Sequence, residues 1–251
     1  MTAITLDDPS AYFDRLAAFE RDHWWSVALW RISSRWLDRT IGGRSGLNAI
    51  DVGCGAGLNL DRLAGRPEID RVVGVDPSPE ALTYARRQSS ARLALGSAAN
   101  LPFESACFDV ATCFDVVQHM TDRDRSQAAA EIARVLRPGG VAVVRSNAGG
   151  GDGVGLDRLR SMFEVDGLRV IQATYANAFG SVVQECRGRL TPSRARPHPG
   201  GGGLPSVRRS RIDGVMAGVG RVEAYWAGRL GRSLPWGHST MLLAVKSETG
   251  L

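Results

Sequence analysis

Apolar positions along this chain change their spacing as the sequence proceeds. Between residues 10 and 41 they recur at helical intervals. Phe13, Leu16 and Ala17 share one face behind a cap candidate at Ser10, and Leu29, Ile32 and Trp36 form a second stripe that stops at Gly42-Gly43. From Leu47 to Arg145 short apolar runs alternate with amphipathic stretches, a pattern that predicts strands separated by helices and a parallel sheet covered on both faces. The predicted strands are Ala49–Val52, Arg71–Val75, Ala91–Leu95, Phe108–Phe114 and Val141–Arg145, the last entered from a Pro138-Gly139-Gly140 turn. Helices are expected through Leu60 and Leu63, from a Ser78-Pro79 start, and over Arg123–Leu136.

Beyond Arg145 the pattern loosens. Gly149–Gly155 reads as a loop, Leu156–Val165 as a short helix, and Leu168–Ala173 and Met241–Lys246 as two further strands. Residues 177–239 interrupt what is otherwise a terminal hairpin. Within them Pro192–Pro205 is rich in proline and glycine and is expected to be a flexible loop. Val207–Leu230 reads as helical despite glycines at 214, 218, 220 and 228. The expected organisation is a helical lid over 1–45, a core over 46–176 and 240–251, and an insertion or cap over 177–239. The fold class is α/β, a doubly wound, mostly parallel, seven-stranded Rossmann-like sheet.

The chain's 251 residues suffice for one such domain with a modest insertion. No apolar stretch reaches bilayer-spanning length, and Asp7, Asp8, Asp14 and Glu20 stand where an export signal needs an uncharged core. Cys54, Cys107, Cys113 and Cys186 show neither a CxxC pair nor metal spacing. A cytoplasmic location with reduced thiols follows. The formal charge of +5 is almost wholly arginine, since Lys246 is the only lysine. Ten arginines fall between Arg187 and Arg232 against Asp213 and Glu223. Such a segment serves either as an anion- or nucleic-acid-binding surface or as a solvated helix face. Without aromatic interleaving or a known nucleic-acid module the second reading is preferred, and nucleic acid is not expected as a partner. The helix itself mixes Val207, Ile212, Val219, Val222 and Trp226 with arginines, which suits a core face, a homodimer face or a membrane surface.

The chemistry concentrates at Asp51-Val52-Gly53-Cys54-Gly55-Ala56-Gly57, set between a strand and a helix. A glycine turn there lets backbone N–H groups approach a ligand at a helix N-terminus. The dinucleotide fingerprint needs G-x-G-x-x-G, but position 58 is Leu and the third glycine comes one residue early. That spacing disfavours NAD. It suits a ligand with no pyrophosphate and a positive ammonium, which Asp51 meets directly or through water. Asp76 closes the second strand, where a carboxylate accepts both hydroxyls of an adenosine ribose.

With these residues the chain resembles the class I S-adenosylmethionine-dependent methyltransferases. Ala49–Gly57 is similar to their first motif and Val72–Asp76 to the second strand with its ribose acid. Gly96-Ser97-Ala98-Ala99-Asn100-Leu101-Pro102-Phe103 is similar to their G-D-A-x-x-L-P-F, with Ser97 in place of the usual Asp. Phe108-Asp109-Val110 and Asp115-Val116-Val117-Gln118-His119 resemble the fourth strand and its D-V-L-E-H, and Arg134–Gly140 resembles R-V-L-x-P-G-G. The match covers residues 47–146 without a gap. His23-Trp24-Trp25 and Leu234-Pro235-Trp236-Gly237-His238-Ser239 look like segments of one bacterial branch whose members act on small molecules, often lipids, sugars or secondary metabolites.

The resemblance implies S-adenosyl-L-methionine as cofactor, S-adenosyl-L-homocysteine as product and a small-molecule methyl acceptor. It implies cofactor contacts from Asp51, Gly53, Cys54, Gly55, Gly57, Asp76, Pro77, Ser97, Ala98 and Phe114. His119, following the fourth strand, is the first candidate for a general base and His23 the second. Some relatives carry E-x-x-E-H and bind a divalent ion; Gln118 here removes one carboxylate, and no metal is expected. The preferred reaction is O-methylation of a secondary metabolite or lipid-like compound. Nitrogen or carbon methylation, binding of the cofactor without transfer, and RNA methylation through the arginine-rich segment are the alternatives.

Overall fold

The computed structural model describes residues 9–149, 153–165, 167–178 and 211–248. The arginines from 187 to 209, the Pro192–Pro205 stretch and His198 lie outside them. Two helices come first, α1 (Pro9–Asp22) and α2 (Trp24–Ile41). The alternating region is β1 (Leu47–Val52), α3 (Leu58–Ala64), β2 (Ile69–Asp76), α4 (Pro79–Gln88), β3 (Arg92–Leu95), β4 (Phe108–Phe114), α5 (Asp122–Val135) and β5 (Leu136–Asn147). Then follow α6 (Leu156–Phe163), β6 (Leu168–Ala176), α7 (Arg211–Glu223), a π-helical turn (Ala224–Arg229) and β7 (Ser239–Lys246). The seven strands form one sheet in the order β3-β2-β1-β4-β5-β7-β6, parallel except for β7, which runs antiparallel to both β5 and β6. The order reverses between β1 and β4, which leaves a crevice at their carboxyl ends.

Local chemistry explains most boundaries. Ser78 caps α4 by accepting from the Ala81 N–H at 3.1 Å, with Pro79 in the first turn. Thr121 caps α5 in the same way. Two boundaries differ from the sequence pattern. Helix α1 already includes Pro9, so Ser10 lies within the helix and not at a capping position. The Arg137–Gly140 segment belongs to β5: Gly139 takes φ 74° and the pairing with β4 shifts register between Phe108 and Val110, so the strand continues through a bulge where a turn is expected.

Each sheet face buries a separate core. Ile50, Val52, Ala142 and Val144 pack with Ala129, Ile132, Leu159 and Phe163 of α5 and α6. On the other face Ala49, Val110, Val141 and Val143 pack with Ile32, Trp36 and Leu37 of α2, with Leu60 and Leu63 of α3, and with Ala224 and Ala227 of the π-helical turn.

The glycines that weaken the helical pattern near the C-terminus are close-approach positions. A Cβ at Gly220 would stand 2.8 Å from Cβ of Ala28, and one at Gly228 would stand 2.9 Å from Cδ of Arg35. The widened turn also offers the Ala227 carbonyl to Nε1 of Trp36 at 3.2 Å and to Nε2 of Gln172 at 3.0 Å. The described part of segment 177–239 is therefore a packed layer against α2.

Candidate active site

Gly53, Gly55 and Gly57 all have positive φ, at 73°, 50° and 89°. Gly53 is constrained twice, because a Cβ there would lie 2.2 Å from Cγ2 of Val116 in the turn after β4. Among the described residues nothing lies within 4 Å of where a Cβ on Gly55 would stand, so the loop opens at that point. The N–H groups of Gly53 and Cys54 donate to the Val75 carbonyl at 2.7 and 3.0 Å, which fastens the loop to β2. Cys54 is buried, and its Sγ occupies the space that a Cβ on Gly74 would need. Burial pushes its thiol up, away from thiolate chemistry.

Asp76 does more than close β2. Its Oδ2 accepts from the Gly55 N–H and its Oδ1 from the Ser78 N–H, both at 2.9 Å. Each oxygen keeps further lone pairs, so the same carboxylate shapes the loop and remains able to accept ligand hydroxyls. Asp51, one strand over, is 1% exposed. Thr112 of β4 donates to its Oδ1 at 2.6 Å, while Oδ2 is buried with no partner among the described residues. Burial pushes this carboxyl up to about 7, opposed by the Thr112 hydrogen bond and reinforced by the Glu20 charge. A buried acceptor with no donor is costly, and a ligand ammonium relieves that cost. An opening at Gly55, an orphaned acidic oxygen at Asp51 and a carboxylate with spare lone pairs at Asp76 fit the cationic amino-acid end and the ribose of S-adenosylmethionine.

The remaining predicted contacts lie along the same edge. Pro77 is exposed directly after β2. Ser97 is exposed after β3, its Oγ accepting from the Ala99 N–H at 3.2 Å, and Ala98 beside it is buried. That loop is held from α5: Glu131 accepts the Leu101 N–H at 2.7 Å, and Arg134 donates to the carbonyls of Phe103 and Leu101 at 2.8 and 3.1 Å. Two segments that resemble family motifs thus grip each other. Phe114 is buried at the end of β4. Helix α1 crosses above the glycine loop, where Ala17 packs on Ala56 and Tyr84, Phe13 stacks on Tyr84 at 5.5 Å, and the Tyr84 hydroxyl donates to Asp14 at 2.7 Å.

The histidines occupy different settings. His119 ends a 3₁₀ turn (Val117–His119) at the carboxyl edge of β4 and is exposed. Gln118 beside it turns inward, its Oε1 accepting from Ser146 Oγ at 3.0 Å and from the Asn147 N–H at 3.4 Å. His23 is the N-cap of α2, its Nδ1 accepting from the Trp25 N–H at 3.3 Å. The two outer sequence segments meet: Trp25 stacks on His238 at 5.8 Å and its Nε1 donates to Ser239 Oγ at 3.2 Å. Among the described residues no group of three or more His, Cys, Asp or Glu side chains is placed to hold a metal ion. No described helix is long and apolar enough to cross a membrane.

Sequence reasoning missed Arg145, Glu20 and Arg62. Arg145, near the carboxyl end of β5, lies over the Phe114 ring at 4.7 Å and pairs with Asp115, a residue with φ 59°. Glu20 of α1 faces the same region, and burial raises its carboxyl against the opposing charges of Arg145 and Arg62. Arg62 lies over Trp30 at 5.3 Å, donates to the Glu20 carbonyl at 3.0 Å, and is pushed down to about 10 by burial. The available signal was Arg145 itself, a charge directly after the apolar run Val141–Val144.

Residues 50–144 match a family model described as a methyltransferase domain. A probable S-adenosylmethionine-dependent methyltransferase of Mycolicibacterium smegmatis is 35% identical over 101 residues, which are 40% of this chain and 38% of that protein. A malonyl-[acyl-carrier protein] O-methyltransferase of Pectobacterium atrosepticum is 37% identical over 125 residues, 45% of this chain and 47% of that one. The chain thus spans less than half the length of these curated relatives. Among solved structures, an S-adenosylmethionine-dependent methyltransferase from Clostridium acetobutylicum shares the fold with a TM-score of 0.60 at 11% identity, over 96% of this chain and all of that one.

Proposed function

We propose that this chain, whose residues 50–144 match a methyltransferase domain, is a class I S-adenosylmethionine-dependent methyltransferase that transfers a methyl group to oxygen on a small molecule. The observation that carries the proposal is the paired arrangement of Asp51 and Asp76 around an open glycine loop. One carboxylate keeps an oxygen, Asp51 Oδ2, without a donor among the described residues, and the other is aimed by two backbone N–H groups with lone pairs to spare. The cofactor, when bound, supplies a methyl already activated by its sulfonium. The protein's own work is alignment, exclusion of water and removal of a proton.

Asp51 takes the ammonium, Asp76 the ribose hydroxyls, and the edge from Pro77 through Ser97 and Ala98 flanks the adenine. Helices α1 and α2 act as a lid: α1 is fastened over the loop through Tyr84, and Trp25 at the start of α2 is fastened to Ser239 at the start of β7. The acceptor oxygen loses its proton to His119, which stands exposed at the carboxyl edge of β4. His23 is less suited, because its Nδ1 already accepts from Trp25 and the neutral ring then holds its proton on Nε2. Oxygen is favoured by the relative in Pectobacterium atrosepticum, itself an O-methyltransferase.

Incubation with methyl-labelled S-adenosylmethionine and a panel of hydroxylated, carboxylated and amino small molecules tests the assignment. Label recovered in ethers or esters supports it. Label recovered only on nitrogen or carbon overturns the choice of oxygen.

A further inference from the structure

Arg145 is 4% exposed, and only part of its guanidinium is satisfied. Its Nε donates to Asp115 Oδ2 at 2.9 Å, Nη2 pairs with the same oxygen, and the plane lies over Phe114. Its Nη1 is buried with no partner among the described residues. This orphan donor belongs to the same crevice as the orphan acceptor, Asp51 Oδ2. Arg145 follows Val141 and Val143 on the face of β5 that packs with Ala49 of β1 and Val110 of β4, and its charge is felt by Asp51 and by Glu20. Two buried, opposite, unsatisfied charged atoms at one sheet edge call for a ligand that carries both signs. Leaving a guanidinium donor dry and unpaired costs free energy that an incoming carboxylate recovers, through a charge-assisted bond that a neutral ligand group does not match.

We propose that Arg145 binds the α-carboxylate of the cofactor's amino-acid end, so that Arg145 and Asp51 together clamp its two charges. The inference rests on the cofactor assignment above and adds to it a residue that none of the motif segments contains. Phe114 and Asp115 are then positioning residues: one supports the guanidinium plane, and the other holds two of its donors so that Nη1 points into the crevice.

The test is calorimetric binding of S-adenosylhomocysteine against decarboxylated S-adenosylhomocysteine, in which hydrogen replaces the carboxylate and the ammonium is kept. Wild-type protein is expected to bind the first at least about tenfold tighter. Arg145→Gln should lose that preference by weakening only the carboxylate-bearing ligand, and Arg145→Lys should retain part of it. Wild-type protein that binds both ligands equally overturns the inference without recourse to a variant, and leaves the cofactor assignment standing. Equal loss of both ligands in Arg145→Gln overturns it as well, since that residue would then only support the sheet edge. Wild-type protein that binds neither ligand removes the cofactor assignment, and the inference falls with it.

Discussion

Cofactor binding should release a proton from Asp51. Its carboxyl stands at about 7 because burial disfavours the charged form, while an unfolded aspartate titrates near 4. For stability the sign is unfavourable as pH rises. The neutral, buried carboxyl favours the folded state fully below about pH 4, and that contribution is lost as pH climbs to about 7, by on the order of 4 kcal/mol in all.

A ligand ammonium against Oδ2 reverses the balance by stabilising the ionised form. At about pH 7 roughly half of the free protein carries the ionised Asp51, and at about pH 5.5 only about 3% does. Affinity for S-adenosylhomocysteine should therefore fall about fifteenfold between those two values, with nearly one proton released per site at the lower pH. Calorimetry in two buffers of different ionisation enthalpy measures both quantities. Asp51→Asn keeps an acceptor for Thr112 and should abolish the linkage. Affinity that stays flat over the range, or a linkage that survives in Asp51→Asn, refutes the reasoning.

Three further outcomes follow from particular contacts. Asp76→Ala should weaken S-adenosylhomocysteine at least about tenfold in the same assay and, by freeing the Gly55 and Ser78 N–H groups, cost ~1–3 kcal/mol in urea unfolding; normal binding would mean the ribose assignment is wrong. His119→Ala should leave S-adenosylhomocysteine affinity within about twofold and lower turnover on an identified acceptor by ~10²–10⁴-fold, whereas unchanged turnover removes His119 as the base. Gly53→Ala combines a left-handed φ with a collision against Val116 and should cost ~2–5 kcal/mol. Adding Val116→Ala should recover the steric part alone, and a single variant as stable as wild type contradicts the packing described.

The strands and the glycine loop were legible because one period of apolar residues decides each element locally. Phe108–Phe114 coincides with β4 to the residue, and Ser78-Pro79 starts α4 as its chemistry requires. The β5 entrance was misread because Pro138-Gly139-Gly140 has turn composition, whereas pairing with β4 across a register shift keeps the segment in the sheet. The helix around Gly220 and Gly228 looked weak because propensity takes no account of a neighbour. Those glycines admit Ala28 and Arg35 of a helix nearly two hundred residues away in sequence.

At the site, Asp51 and Asp76 could be picked out by position alone, but the missing donor at Oδ2 depends on Thr112, sixty-one residues away. Arg145 and Glu20 carry no motif. Only the sheet order and the placement of α1 bring them together, so no spacing rule could have found them.

The central claim is that the Asp51–Gly57 loop and Asp76 bind S-adenosylmethionine and not a dinucleotide. Calorimetric titration of the purified chain with S-adenosylmethionine, S-adenosylhomocysteine and NAD tests it most directly. The account predicts binding of the first two with Kd on the order of micromolar and no heat from NAD. Binding of NAD, with neither adenosyl compound bound, would contradict it.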